Sequence, residues 1–157
     1  MRNSAENLAV VSLELGGKSP IVVLDDADLD NAVNGIVAAN FGATGQSCVA
    51  GTRVYVQRRV YDEVAHRLVD RAQRIVVGDP MAHKTEIGPL ATAAQVVGIE
   101  DALTRSLDEG AEVLTGGRVP ESQPRGSWYE PTVLSCPPAT LAERCGSPNA
   151  FRPASCT

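Results

Sequence analysis

Apolar and polar positions alternate from Ala9 to Leu15 (AVVSLEL), the period-two signature of a strand, and Gly16-Gly17 end the run. Ile21 to Leu24 (IVVL) predicts a second short strand, entered through Ser19-Pro20. The stretch DDADLDNAVNGIVAANFG then opens with aspartates, which suit a helix N-terminus through capping and the dipole. Leu29, Val33, Ile36, Val37 and Phe41 follow at helical spacing, and the helix should stop near Gly42 to Gly45. Thr52 to Gln57 alternates as a strand. Val60, Val64, Leu68, Ala72 and Ile75 mark an amphipathic helix over Val60 to Val76, closed by Gly78-Asp79-Pro80. Thr92 to Leu107 predicts another helix, ended by Glu109-Gly110. Glu112 to Thr115 and Trp128 to Leu134 read as short strands on either side of a Gly/Pro-rich loop.

Strands that alternate with helices imply βαβ units, so the expected fold is α/β. It should be a three-layer, largely parallel sheet with helices on both faces, incomplete toward its C-terminal side. No internal repeat occurs. From Cys136 onward the periodicity fades, and four prolines and three cysteines appear without a strand or helix template apart from a short run over Thr140 to Arg144. The chain therefore divides into residues 1–135, one folded unit, and residues 136–157, an irregular tail.

Composition narrows the function. The 157 residues are about one domain's worth, 43% apolar and 21% charged. A net charge of −5 argues against nucleic acid or an anionic membrane surface as partner. No apolar run approaches the ~18 residues of a membrane span. The N-terminus lacks the apolar core of a signal peptide, so a cytoplasmic location is expected. The four cysteines, Cys48, Cys136, Cys145 and Cys156, fit neither a CxxC pair nor a zinc pattern, and no metal site is expected.

Two residues stand out as candidate chemistry. Cys48 lies in FGATGQSCVAGTR among glycines, alanines and small hydroxyl residues, where the backbone can bend and approach a ligand closely. A thiolate there can attack a carbonyl carbon while nearby backbone N–H groups receive the oxyanion. The plainer reading, a small buried cysteine at a helix–strand junction, stays open at this point. The thiol follows a helix C-terminus, the wrong end of the dipole for acidifying it, and the nearest cation in sequence is Arg53. Glu14 falls inside an apolar strand pattern just before a glycine turn, where a partly buried carboxylate can act as general base; a solvent-facing Glu on an edge strand is the alternative. His66 and His83 are isolated. Gly116-Gly117 reads as a turn, and Arg67, Arg71 and Arg74 alternate with Asp62, Glu63 and Asp70 as a solvated helix face. No GxGxxG or GxxxxGK phosphate cradle occurs.

LELGGKSP at Leu13 to Pro20, followed by FGATGQSCVAGTR, resembles the aldehyde dehydrogenase superfamily. DDADLDNAV, YDEVAHRLVDRAQRIVVGDP, TEIGPL, GAEVLTGG and WYEPTVL resemble it too, in the same order, so the likeness covers roughly Leu8 to Leu134. The resemblance implies NAD(P)-dependent oxidation of a small-molecule aldehyde to a carboxylic acid. Cys48 would be the nucleophile, passing through a thiohemiacetal and a thioester, and Glu14 the base that activates the hydrolytic water. It also implies that the Leu15 main chain lies near the nicotinamide of NAD or NADP, and that the Cys48 N–H forms part of the oxyanion hole. Family members form homo-oligomers through a C-terminal segment for which this sequence shows no counterpart.

The departures from the family are informative. Ala43 stands where many members carry Asn. The cofactor domain that normally precedes the glutamate, with its oxyanion-hole asparagine, has no counterpart. The E-x-F-G-P motif that holds the nicotinamide ribose finds no match in GSPNAFRPASCT. A frameshifted or truncated gene explains a matching body with a foreign tail. The alternative function is therefore a truncated, inactive fragment that at most associates with an intact relative.

Overall fold

The computed structural model describes Ser4, residues 7–136 and the backbone of residues 151–156. Five strands form one sheet: β1 (Pro20–Val23), β2 (Arg53–Gln57), β3 (Glu112–Thr115), β4 (Val133–Ser135) and β5 (Phe151–Cys156). Three helices accompany them: α1 (Leu29–Phe41), α2 (Tyr61–Gln73) and α3 (Ala93–Asp108).

Local chemistry accounts for the helices. Asp28 caps α1, its Oδ1 accepting from the N–H groups of Asp30 and Asn31 at 3.1 Å each. Val33, Ile36, Val37 and Phe41 bury one face of α1, and Tyr61, Val64, Leu68 and Ala72 bury one face of α2. At the start of α3 the Gln95 side chain accepts from the Thr92 N–H at 3.1 Å. No residue of α3 is buried.

The strand order is β1-β2-β5-β4-β3. β1 and β2 are parallel, β5 is antiparallel to both β2 and β4, and β3 is antiparallel to β4. β1, β2 and β4 therefore run in one direction, β1 and β2 as a βαβ unit with α1, and β5 and β3 run against them. Val23, Val54, Val56 and Val133 meet α1 and α2 in a single core, where Val54 and Val133 are fully buried and Leu68 is 1% exposed. These four valines share a sheet face, because Val23 pairs with Val56 and alternate residues share a face. On the opposite face Val22 is 57% exposed. Helices α1 and α2 thus cover the sheet face that carries these valines, in the α/β fold that the sequence predicts.

Three sequence expectations are corrected. Ala9 to Leu15 joins none of the five strands, and Leu8, Val10 and Leu13 are exposed. Alternation prepares a segment for pairing, but a strand needs a ladder partner, and the described residues supply none. The strand predicted over Trp128 to Leu134 begins only at Val133, because Pro131 has no N–H to give a ladder. Residues 151–156, assigned to the irregular tail, form β5 in the middle of the sheet. The run predicted over Thr140 to Arg144 lies outside the described residues.

Candidate active site

The parallel register of β1 and β2 brings the two sequence motifs together. Pro20 pairs with Arg53, an offset of 33 positions (53 − 20). The segments that lead into the two strands, one with Gly17 and the other with Cys48, run side by side there. Two bonds from Arg53 fasten these segments: its N–H donates to the Ser19 carbonyl at 3.3 Å and its Nε to the Lys18 carbonyl at 2.9 Å. Gly17 then lies directly on Cys48. A Cβ on Gly17 would stand 2.3 Å from the Cys48 carbonyl oxygen, closer than any side chain tolerates. Gly51 is likewise pressed on Ile21 of β1, where an added Cβ would stand 2.3 Å from its Cδ1. Part of the smallness around the thiol therefore serves this packing of loop on loop.

The thiol loop itself is an irregular turn. After α1 ends at Gly42, Ala43, Thr44 and Gly45 adopt left-handed backbone with φ of 51°, 58° and 69°. Gly45 does so freely; Ala43 and the β-branched Thr44 do so under strain. This turn throws Cys48 outward, and it is an exposed, free thiol. The buried-filler reading of Cys48 is thereby excluded.

Cys48, Glu14, Leu15, Gly16 and Gly17 border one open cleft of about 760 Å³. Phe41, Ile87, Leu90, Ile99 and Tyr129 contribute its apolar walls. Burial, and after it the carboxylates of Glu100 and Glu130, push the Tyr129 phenol above its ordinary range, so that it stands neutral beside the cleft. Glu14 differs from the expectation. It lies on an exposed coil segment and not within a strand. The site also sits at the amino ends of parallel strands, whereas sites in open α/β sheets usually lie at the carboxyl ends.

The weaker signals resolve simply. Arg67 bridges Asp30 and Glu63, and Arg71 pairs with Glu86, so the Arg-rich helix face is internally neutralised. Gly116 and Gly117 form the expected turn, both with positive φ. His66 is exposed beside Asp70, and His83 is exposed. Sequence reasoning passed over Gln46, whose side chain reaches Ala91. The available signal was a single long polar side chain in a run of small residues.

Residues 1–143 match the model of the aldehyde dehydrogenase family, and the chain belongs to that family. It is 49% identical over 136 residues to (Z)-2-((N-methylformamido)methylene)-5-hydroxybutyrolactone dehydrogenase of Acinetobacter baylyi, a match that covers 87% of this chain and 28% of that relative. It is 43% identical over 133 residues to betaine aldehyde dehydrogenase of Sinorhizobium fredii, covering 84% and 27% respectively. Among solved structures, betaine aldehyde dehydrogenase of Staphylococcus aureus with NAD+ superposes at a TM-score of 0.81 with 34% identity, over 88% of this chain and 28% of that one. An E. coli NADP-dependent enzyme superposes at 0.78 with 40% identity, over 85% and 27%. The chain thus spans little more than a quarter of the relatives it matches.

Proposed function

We propose that this chain carries the reacting centre of an NAD(P)-dependent aldehyde dehydrogenase, with Cys48 as nucleophile and Glu14 as general base. One observation carries the reading: a free, exposed thiol and a carboxylate border the same open cleft. The thiolate of Cys48 forms a bond to the aldehyde carbon, and its own backbone N–H receives the developing oxyanion of the thiohemiacetal. When bound, a nicotinamide cofactor supplies the hydride acceptor that turns the thiohemiacetal into a thioester. Glu14 then takes a proton from the water that attacks the thioester carbon, and the carboxylic acid departs as the thiol is restored.

The residues present fit the nicotinamide end of such a cofactor. A Cβ on Gly16 would meet nothing within 4 Å, so the Leu15–Gly16 main chain offers an open ledge for a flat ring. The sequence carries no GxGxxG or GxxxxGK cradle for its phosphates.

A second reading is favoured by that same missing cradle. Positioning of reactants can represent ~7–11 kcal/mol of a barrier, and a chain that does not hold the dinucleotide forfeits it. On this reading the chain is inert alone and at most associates with an intact relative. The test mixes purified chain with a panel of aldehydes and NAD+ or NADP+ and follows reduced nicotinamide. Turnover lost in Cys48→Ala supports the first reading, and equal rates for wild type and Cys48→Ala overturn it. Absent turnover from a chain whose Cys48 alkylates normally selects the second.

A further inference from the structure

We propose that Gln46 is the positioning residue of the thiol loop, tying it across the cleft and thereby setting the size of aldehyde that Cys48 admits. The inference rests on the reading of Cys48 as the reacting group. The loop's backbone bonds are all local: Gln46 N–H to Ala43 at 3.1 Å, Ala50 N–H to Ser47 at 3.1 Å and Thr52 N–H to Ala50 at 2.9 Å. Its left-handed run, Ala43 to Gly45, is a single short turn and joins no strand ladder that would brace it. Among the described residues, segment 42–52 makes one hydrogen bond to a distant part of the chain. Gln46 Oε1 accepts from the Ala91 N–H at 3.1 Å, across 45 positions.

Ala91 is a firm anchor. Its neighbour Leu90 donates to the Ser127 carbonyl at 2.7 Å, and Thr92 is held by Gln95. From there Ala94, Gln95, Gly98 and Ile99 of α3 border the cleft that Cys48 also borders. The Gln46–Ala91 bond therefore couples the wall that bears the thiol to the wall built on α3. Breaking it leaves the thiol loop packed on Gly17 and Ile21 but without its hydrogen bond to the α3 side, and frees the cleft to widen.

The test reads geometry and needs no turnover. Cys48 is alkylated with iodoacetamide and, separately, with a bulky maleimide, and the adducts are located by peptide mapping. Gln46→Ala removes the acceptor, and Ala91→Pro removes the donor without touching the thiol loop. Each is expected to raise the ratio of bulky to small reagent rates about fivefold, the effect of one ordinary hydrogen bond on an opening equilibrium. The double variant should match either single one, because both act through one bond. Gln46→Glu keeps an acceptor oxygen and should keep the wild-type ratio.

An unchanged ratio in Gln46→Ala, or effects that multiply in the double variant, overturns the proposal. If Ala91→Pro shows no cooperative melt, the Gln46→Ala and Gln46→Glu pair decides alone. If wild-type Cys48 resists both reagents, the proposed function falls and this inference with it. If Cys48 reacts normally and the ratio ignores position 46, the tether alone is refuted.

Discussion

Gly16 and Gly17 are neighbours in sequence with opposite tolerances, which makes them a sharp test of how the two motifs meet. An alanine Cβ at position 17 would stand 2.3 Å from the Cys48 carbonyl oxygen and 3.5 Å from its carbon, whereas at position 16 it meets nothing within 4 Å. Both atoms approached at position 17 belong to the backbone, so no side-chain rotation relieves the contact. Ordinary contact begins near 3.4 Å, so the Cys48 peptide and the Gly17 segment must separate by roughly 1 Å. Forced displacements of this kind cost about 1–3 kcal/mol, set here against the packing of Gly51 on Ile21 and the Arg53 bonds to Lys18 and Ser19. Gly17→Ala should therefore lower the melting temperature and change the rate of Cys48 alkylation, with Gly16→Ala close to wild type in both. Neither glycine has the positive φ that would penalise alanine for backbone reasons, so the comparison isolates the contact. Identical melts and identical Cys48 reactivity for the two variants would refute the proximity of Glu14's segment to the thiol.

Two further outcomes follow from the site's surroundings. Thr44 is a β-branched residue held at φ 58°, so Thr44→Asn, which accepts that conformation, should stabilise the chain by about 0.5–1 kcal/mol in a urea titration; Gly45→Ala, at φ 69° with 3.3 Å to the Asn40 carbonyl, should destabilise it. Glu86 is held below the usual carboxylate range, first by the Arg71 guanidinium and then by the Val76 N–H. Its folded pKa lies below its unfolded one, so its stabilisation is present above the unfolded value and lost as pH falls through the folded one. The melting-temperature gap between wild type and Glu86→Gln should accordingly be open near neutrality, narrow as pH falls past the ordinary glutamate value of about 4.3, and close once pH is below the folded pKa. A gap independent of pH would refute it.

The sequence made the helices legible because their evidence is local. The apolar spacing of Val33, Ile36, Val37 and Phe41 and the aspartates before Leu29 are enough to write α1 to within a residue or two of its ends. Strand pairing is not local, and there the reading faltered. AVVSLEL has the right alternation and no partner among the described residues, while FRPASC, with arginine and proline inside it, pairs as β5 because β2 and β4 flank it on both sides. That strand holds Phe151 and Pro153 at the F-x-P spacing of the motif judged missing, with Asn149 and Arg152 at its acidic and glycine positions.

The site divides the same way. Cys48 and Glu14 were visible as residues, and the register that sets their segments side by side was not. Gln46 and Gly17 carry no chemistry of their own, so their parts emerge only when the distances to Ala91 and Cys48 are known.

The most direct measurement is acylation of the purified chain by an activated phenyl ester, which needs no hydride acceptor, with the acyl group mapped by mass spectrometry and its release timed. The expected result is an acyl group on Cys48 and on none of Cys136, Cys145 or Cys156, formed at a normal rate but released about 10²–10⁴-fold more slowly in Glu14→Gln. Acyl groups spread over the other cysteines, or release that ignores Glu14, would contradict a shared cleft in which one residue attacks and the other draws a proton from water.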